Sequence, residues 1–294
     1  MKQKVTPARV VFLIFAVALL LVIAFVCFVT LWHVLMVSMS NPTAVTSHRG
    51  LVLWRLKEWD FKAYSIIFQY QKLWSGYLNT IIYIVLSCVF TGVLTVVAGF
   101  VFSRKRFRFR NGYMMLISFT MLFNGGMIPT FMVIRNLHMI DTIWAMVIPG
   151  SLSVFNIILM RTSMEGIADA LEEAARMDGA NEFVTMFKII LPLCKATFAV
   201  VMLFTVVGKW NDFMSALLYL PTKTELYPLQ MEIRSILFQS TKEITSGTDA
   251  ASMNVYSRNI QYAVIVVSTL PVLVAYPFVQ KYFVTGMTVG AVKA

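Results

Sequence analysis

Residues 169–192, DALEEAARMDGANEFVTMFKIILP, form the longest polar interruption of built appearance in a strongly apolar chain. The stretch reads as helix, turn, helix. Asp169 can cap the first helix, with Glu172 three residues on in a capping-box arrangement, while Leu171, Ala174 and Ala175 share one helical face. Gly179 follows Asp178 where a left-handed C-terminal residue is wanted. Asn181 can cap the second helix, in which Phe183, Met186, Phe187 and Ile190 recur at helical spacing. The product is a short elbow with acids on one side and apolar groups on the other. An ordinary amphipathic hairpin packed under a membrane bundle would show the same capping logic.

Outward from the elbow the composition decides the class. With 294 residues, 59% of them apolar and 13% charged, and a mean hydropathy of +0.75, the chain belongs in a bilayer. A net charge of +11 would suggest nucleic acid in a soluble protein. Here the basic residues flank apolar spans and act as topology signals, and no nucleic-acid-binding motif accompanies them. Cys27, Cys88 and Cys194 fall singly in separate apolar stretches, so neither a disulfide nor a metal site is expected. His33, His48 and His138 are equally scattered and read as interfacial or hydrogen-bonded residues.

The hydropathy pattern predicts an all-α, polytopic membrane protein with six transmembrane helices, at about 10–32, 77–102, 113–134, 141–161, 189–214 and 261–283. The first apolar run is longer than the usual core of a signal peptide and is read as a retained span, with cleavage near the small-residue pattern Ser38-Met39-Ser40 as the alternative. Residues 38–76 are rich in aromatic side chains that suit the headgroup level. Five basic residues between Arg104 and Arg110 mark a cytoplasmic loop. The third span carries Gly125, Gly126 and Pro129, which break or kink a helix, and Asp141 or Thr142 can start the fourth. Alternation from a cytoplasmic N-terminus puts both termini and the elbow, 167–188, on the inside, and leaves 215–260 as an extracytoplasmic loop.

Ionisable groups at membrane depth are costly and face a cavity, a bundle interior or each other. Lys209 and Asp212 lie three apart and can pair. Asn211 and Asp212 either border a translocation path or mark the point where the helix surfaces. Gly208-Lys209-Trp210 lacks the upstream glycine of a phosphate-binding loop, so the chain has no ATP site of its own and no cofactor is expected. An ion-coupled secondary transporter would show internal repeats and paired midplane carboxylates, and a membrane enzyme a catalytic constellation; neither is apparent.

Glu173-Ala174-Ala175, then Gly179, Ile189 and Leu191-Pro192, with their spacing, resemble the EAA motif of ABC-importer permeases. The stretches Gly76-Tyr77-Leu78-Asn79-Thr80, Met127-Ile128-Pro129-Thr130, Trp210-Asn211-Asp212, Leu226-Tyr227-Pro228-Leu229-Gln230 and Gly286–Lys293 resemble the carbohydrate-uptake, MalG-like branch and its LplC-type oligosaccharide subgroup. The resemblance implies the type I ABC importer permease fold. It also implies a second, homologous permease subunit, two ATP-binding cassette ATPase subunits, an extracytoplasmic solute-binding protein and a carbohydrate substrate, in a bacterial cytoplasmic membrane. A non-sugar solute is the alternative cargo.

On the same basis Asp169, Leu171, Glu172, Glu173, Ala174, Ala175, Arg176, Met177, Asp178, Gly179 and Ala180 would dock on the ATPase. Gly290, Ala291, Val292 and Lys293 would reach it as a tail, and the 221–259 loop would meet the binding protein. Asn124, Trp210, Asn211 and Asp212 are candidates for the substrate path. One departure is Ala168, where relatives often carry proline; alanine still permits a helix there.

Overall fold

The structure, a computed structural model, describes residues 7–123, 125–246 and 251–291. Its elements are helical, and the one β-contact among the described residues is an isolated bridge between Ser40 and Trp59. The helices are α1 (Pro7–Ser38), α2 (Pro42–Ser47), α3 (Lys62–Gln69), α4 (Gln71–Ser103), α5 (Arg110–Leu122), α6 (Met127–Asn136), α7 (Ile143–Val147), α8 (Val154–Glu165) and α9 (Asp169–Met177). They continue with α10 (Glu182–Leu193), α11 (Lys195–Trp210), α12 (Met214–Tyr219), α13 (Leu229–Ser246) and α14 (Ala251–Ala291).

The chain forms two compact units, one of residues 1–71 and 233–271, the other of 72–232 and 272–294. In the first, α1 exposes apolar side chains along most of its length, as a lipid-facing helix does, and is buried only at Met36, Val37 and Ser38. Met36 and Val37 pack with Val45 and Val52, and Tyr262 closes the cluster. Buried Asn259 donates to the carbonyls of Val37 and Ser40 (3.2 and 2.6 Å), satisfying backbone freed where α1 ends. His33 accepts from the Val52 N–H at 2.9 Å, so it is a hydrogen-bonded residue.

The second unit is organised on α4. One end packs Val96 and Phe100 against Met160, Met164, Met186, Ile190 and Cys194; the other packs Tyr83 against Met146, Val147, Ala216 and Leu220. Gly99 lets α8 come close, since a Cβ there would lie 2.9 Å from that of Met160. The stretch around Asn79 is stitched to that around Tyr227. Asn79 donates to the carbonyls of Glu225 and Tyr227 (2.7 and 3.1 Å), and Thr80 Oγ1 accepts from the Leu229 N–H at 2.9 Å.

Three described helical segments are long and apolar enough to cross a membrane, in α1, α4 and α14, and two bent pairs, α5 with α6 and α10 with α11, bring the number to five. Gly125 and Gly126 do interrupt the third predicted span, Gly126 adopting φ +89° before α6. The fourth, expected as one helix over 141–161, is instead two pieces, α7 and α8, separated by a turn in which Gly150 has φ +82°. Of the two expected starting residues, Thr142 takes the capping position of α7, whereas the Asp141 carboxylate is taken by the Thr222 hydroxyl (2.6 Å) and the N–H groups of Thr222 and Lys223. The fifth bends by 87° at Cys194. Residues 215–260, expected as a loop, contain most of α12, all of α13 and the start of α14.

Candidate functional site

The elbow is present, built differently in detail from the sequence expectation. Asp169 is the first residue of α9 rather than its cap. The capping position belongs to Ala168, which makes no side-chain bond and sits at φ −60°, a value proline would also adopt. Freed from capping, the Asp169 carboxylate accepts from Lys105 Nζ at 2.6 Å, which holds it below the usual carboxylate range. Gly179 has φ +82°, so the chain leaves α9 through the left-handed region at no steric cost. Asn181 caps α10, accepting from the Val184 N–H at 2.8 Å. The expected apolar face is shifted: Ala175 is buried beside Glu172, whereas Leu171 and Met177 are exposed. In α10, Met186 and Ile190 face the core, Phe183 and Phe187 do not, and residues 185–190 take π-helical turns that re-aim this face.

Glu172 is the centre of the elbow. Its carboxylate is bound by Arg104 on one oxygen (2.5 Å) and by Arg176 on the other (2.6 Å). Arg104 is buried as well, donating to Ser103 Oγ (3.0 Å) and the Met164 carbonyl (3.1 Å), with its guanidinium over the Phe100 ring. Arg176 and Arg106 both reach Glu182 of α10, at 3.0 and 3.2 Å. The basic run at 104–110, read from sequence as a topology signal alone, is therefore also the counter-charge of the elbow's acids. The signal was present in the complementary charges, five cations against Asp169, Glu172 and Glu182. Turned outward from this ring are Glu173, Ala174, Met177 and Asp178, an exposed edge of mixed apolar and acidic character. Of the predicted tail contacts, Gly290 and Ala291 end α14, while Val292 and Lys293 lie outside the described residues.

The second polar region lies where α11 ends. Lys209 Nζ donates to the Met146 carbonyl (2.6 Å) and pairs with Asp212 at 3.4 Å, as the spacing predicts. Asp212 Oδ1 accepts from the Ser215 N–H at 3.0 Å at the start of α12. Both line a cavity of about 500 Å³ together with Ser153, Phe155, Asn156 and Phe204. Of the described path candidates, Trp210, Asn211 and Asp212, only Asp212 is part of its wall. Trp210 packs beside Tyr77, with ring centroids 6.1 Å apart, and Asn211 donates to the Val207 carbonyl (2.9 Å), stabilising the end of α11. Asn124 lies outside the described residues. Sequence reasoning missed Asn156, although a lone amide between Phe155 and Ile157 is the kind of signal that marks such a wall. No group of three or more potential metal ligands occurs among the described residues.

The fold is thus an interrupted helical body with segments apolar enough to cross a membrane and a latched elbow between α8 and α10. The chain belongs to the family described as binding-protein-dependent transport system inner membrane component, which matches residues 91–289. It is thus an ABC-type permease, a transport subunit rather than an enzyme. Among its relatives, the polygalacturonan/rhamnogalacturonan transport system permease protein YtcP of Bacillus subtilis is 34% identical over 93% of this chain and 95% of its own. Protein LplC of the same organism is 40% identical over 65% of this chain and 64% of its own. A crystal structure of a bacterial ABC transporter involved in the import of the acidic polysaccharide alginate contains a chain that superposes with a TM-score of 0.83, at 32% identity, over 95% of this chain and 98% of that one.

Proposed function

We propose that the chain is one permease subunit of an ATP-driven importer for oligosaccharides, working with a homologous second permease, two ATPase subunits and an extracytoplasmic binding protein. The relatives named for polygalacturonan, rhamnogalacturonan and alginate support a carbohydrate cargo. The observation that carries the coupling role is the division within α9. Glu172 and Ala175 are turned into the protein, whereas Leu171, Glu173, Ala174, Met177 and Asp178 are left free to meet a partner.

In this reading the outward edge, with Gly179 and Ala180 at the bend, sits on the ATPase, and the ring of ion pairs through Arg104 carries its displacement to α4 and α8. Packed elements move as bodies between discrete arrangements, so a latched elbow conveys motion that a loosely tethered one would dissipate. Six crossings follow if α7 and α8 together make the fourth. Both termini and the elbow then face the cytoplasm, the 215–260 segment faces the binding protein, and residues 290–293 approach the ATPase.

The test is ATP-dependent uptake of labelled oligosaccharides by the reconstituted assembly with its binding protein. Wild-type protein is expected to transport, while Glu173→Lys and Gly179→Pro insert normally yet lose uptake. Transport of amino acids or ions in place of sugars would remove the carbohydrate assignment, and full uptake by both variants would remove the coupling role.

A further inference from the structure

We infer that the cavity between α8 and the end of α11 is a sugar subsite belonging to this chain itself, in which Phe155 and Phe204 form an apolar wall and Asn156 the hydrogen-bonding floor. The inference rests on the carbohydrate reading above and deepens it by naming which groups touch the cargo.

Asn156 is 6% exposed and lines the cavity, yet its side-chain amide makes no hydrogen bond with any described residue. Its amide atoms are not among the sealed, unpartnered polar atoms of the core and open onto the cavity, where a ligand can reach them. An amide offers two N–H donors and a carbonyl acceptor, and neighbouring hydroxyls of a sugar, each both donor and acceptor, match that set. Phe155 and Phe204 stand beside it with centroids 6.1 Å apart at 48°, both still substantially exposed. Their faces suit the C–H side of a pyranose ring, so one ring can turn its apolar face to the aromatics and its hydroxyl edge to Asn156.

The charge pattern narrows the ligand further. Lys209 and Asp212 line the same cavity but neutralise each other, and each is held by a helix end. Among the described residues the cavity therefore offers no unpaired carboxylate for the ammonium of an amino acid. A polar floor is equally unsuited to an acyl chain. At about 500 Å³ the volume lies within the range of about 300–1,000 Å³ of small-molecule sites and accommodates a short piece of a glycan rather than a long one.

The experiment uses the complete importer in proteoliposomes, with oligogalacturonides of two to six sugars and saturating binding protein. Asn156→Ala and, as a milder change of the wall, Phe204→Leu are expected to raise the KM for uptake about tenfold and a few-fold, with kcat falling less, while the variants still co-purify with their ATPase subunits. In a background with Cys27, Cys88 and Cys194 replaced, Thr205→Cys is expected to react with a water-soluble thiol reagent and to be protected during sugar turnover. Unchanged KM in both variants, with no protection at 205, overturns the subsite while leaving the permease function intact. A Thr205→Cys variant that resists labelling even without sugar places this face against another subunit and overturns it too. Wild-type vesicles that import another solute but no sugar defeat the carbohydrate reading, and with it the sugar as occupant.

Discussion

The elbow and the break after α11 both set polar groups among apolar helices, but they resolve the resulting cost in opposite ways. At the elbow, Glu172 meets Arg104 and Arg176, Glu182 meets Arg106 and Arg176, and Asp169 meets Lys105. At the break, Lys209 and Asp212 are occupied with each other and with backbone, and Asn156 beside them is left unmatched. A closed set of charges behaves as a joint between elements. An open polar group at the wall of a cavity behaves as a place for something to bind.

The largest expected effect tests whether the elbow's ring really is closed. Glu172 and Glu173 are adjacent, yet the first is buried and paired while the second is exposed. Glu172→Ala leaves the Arg104 guanidinium buried without its carboxylate, a loss of about 3 kcal/mol, the lower end for a broken buried pair because Ser103 and Met164 still hold it. Glu173→Ala, an exposed change, should stay within about 0.5 kcal/mol. Thermal unfolding in detergent micelles separates the two, and uptake by the reconstituted assembly should fall in both. Equal stability losses would mean that the two glutamates do the same thing and that the ring is no joint.

A smaller effect sharpens the contrast through two glycines with the same backbone conformation. Gly150, at the cavity, and Gly179, at the elbow, both have φ +82° and nothing within 4 Å of an added Cβ. Alanine at either site costs only the left-handed backbone conformation, about 1–2 kcal/mol. Unfolding midpoints should therefore shift alike. Uptake should not: Gly179→Ala is expected to lower kcat by misdirecting the docking edge, and Gly150→Ala to raise KM by reshaping the cavity wall. Identical kinetic signatures would erase the functional distinction between the two regions.

How much of this could be read from the sequence follows from the range of the interactions. The turn at Gly179, the cap at Asn181, the Lys209 to Asp212 pair and the interruption at Gly125-Gly126 are decided within a few residues, and each is found where the pattern puts it. Hydropathy likewise marked the runs that form the long apolar stretches of α1, α4 and α14. What escaped depends on partners far along the chain. Asp169 has the right neighbours to be a cap, but Lys105, 64 residues away, takes its carboxylate. Asp141 lost its starting role to residues 81 and 82 positions on. Asn156 stood out in the sequence as a lone amide among apolar residues, but which groups share its cavity depends on α11 lying beside α8, and the separation of α7 from α8 shows that apolar composition does not by itself reveal an interruption at Gly150.

The smallest expected effect uses pH to separate a paired acid from a poorly partnered one. Hydrogen bonding by Lys105 lowers the pKa of exposed Asp169, so this group contributes stability that is present above its unfolded value of about 3.8 and is lost as pH falls through the folded one. Glu232, near the start of α13, is its opposite: packed against Gly76, it is pushed up by burial, with Lys72 only partly opposing. Its contribution is fully present below the unfolded value of about 4.5 and is lost as pH rises through the folded one. Acidifying from neutrality should therefore first raise the unfolding midpoint through Glu232 and then, at lower pH, reduce it through Asp169. Glu232→Gln should abolish the first limb, and Asp169→Asn should flatten the second. If the midpoint instead falls monotonically from neutral pH in both the wild type and Glu232→Gln, burial of Glu232 carries no net electrostatic cost, and the difference drawn between closed and open polar groups fails at this position.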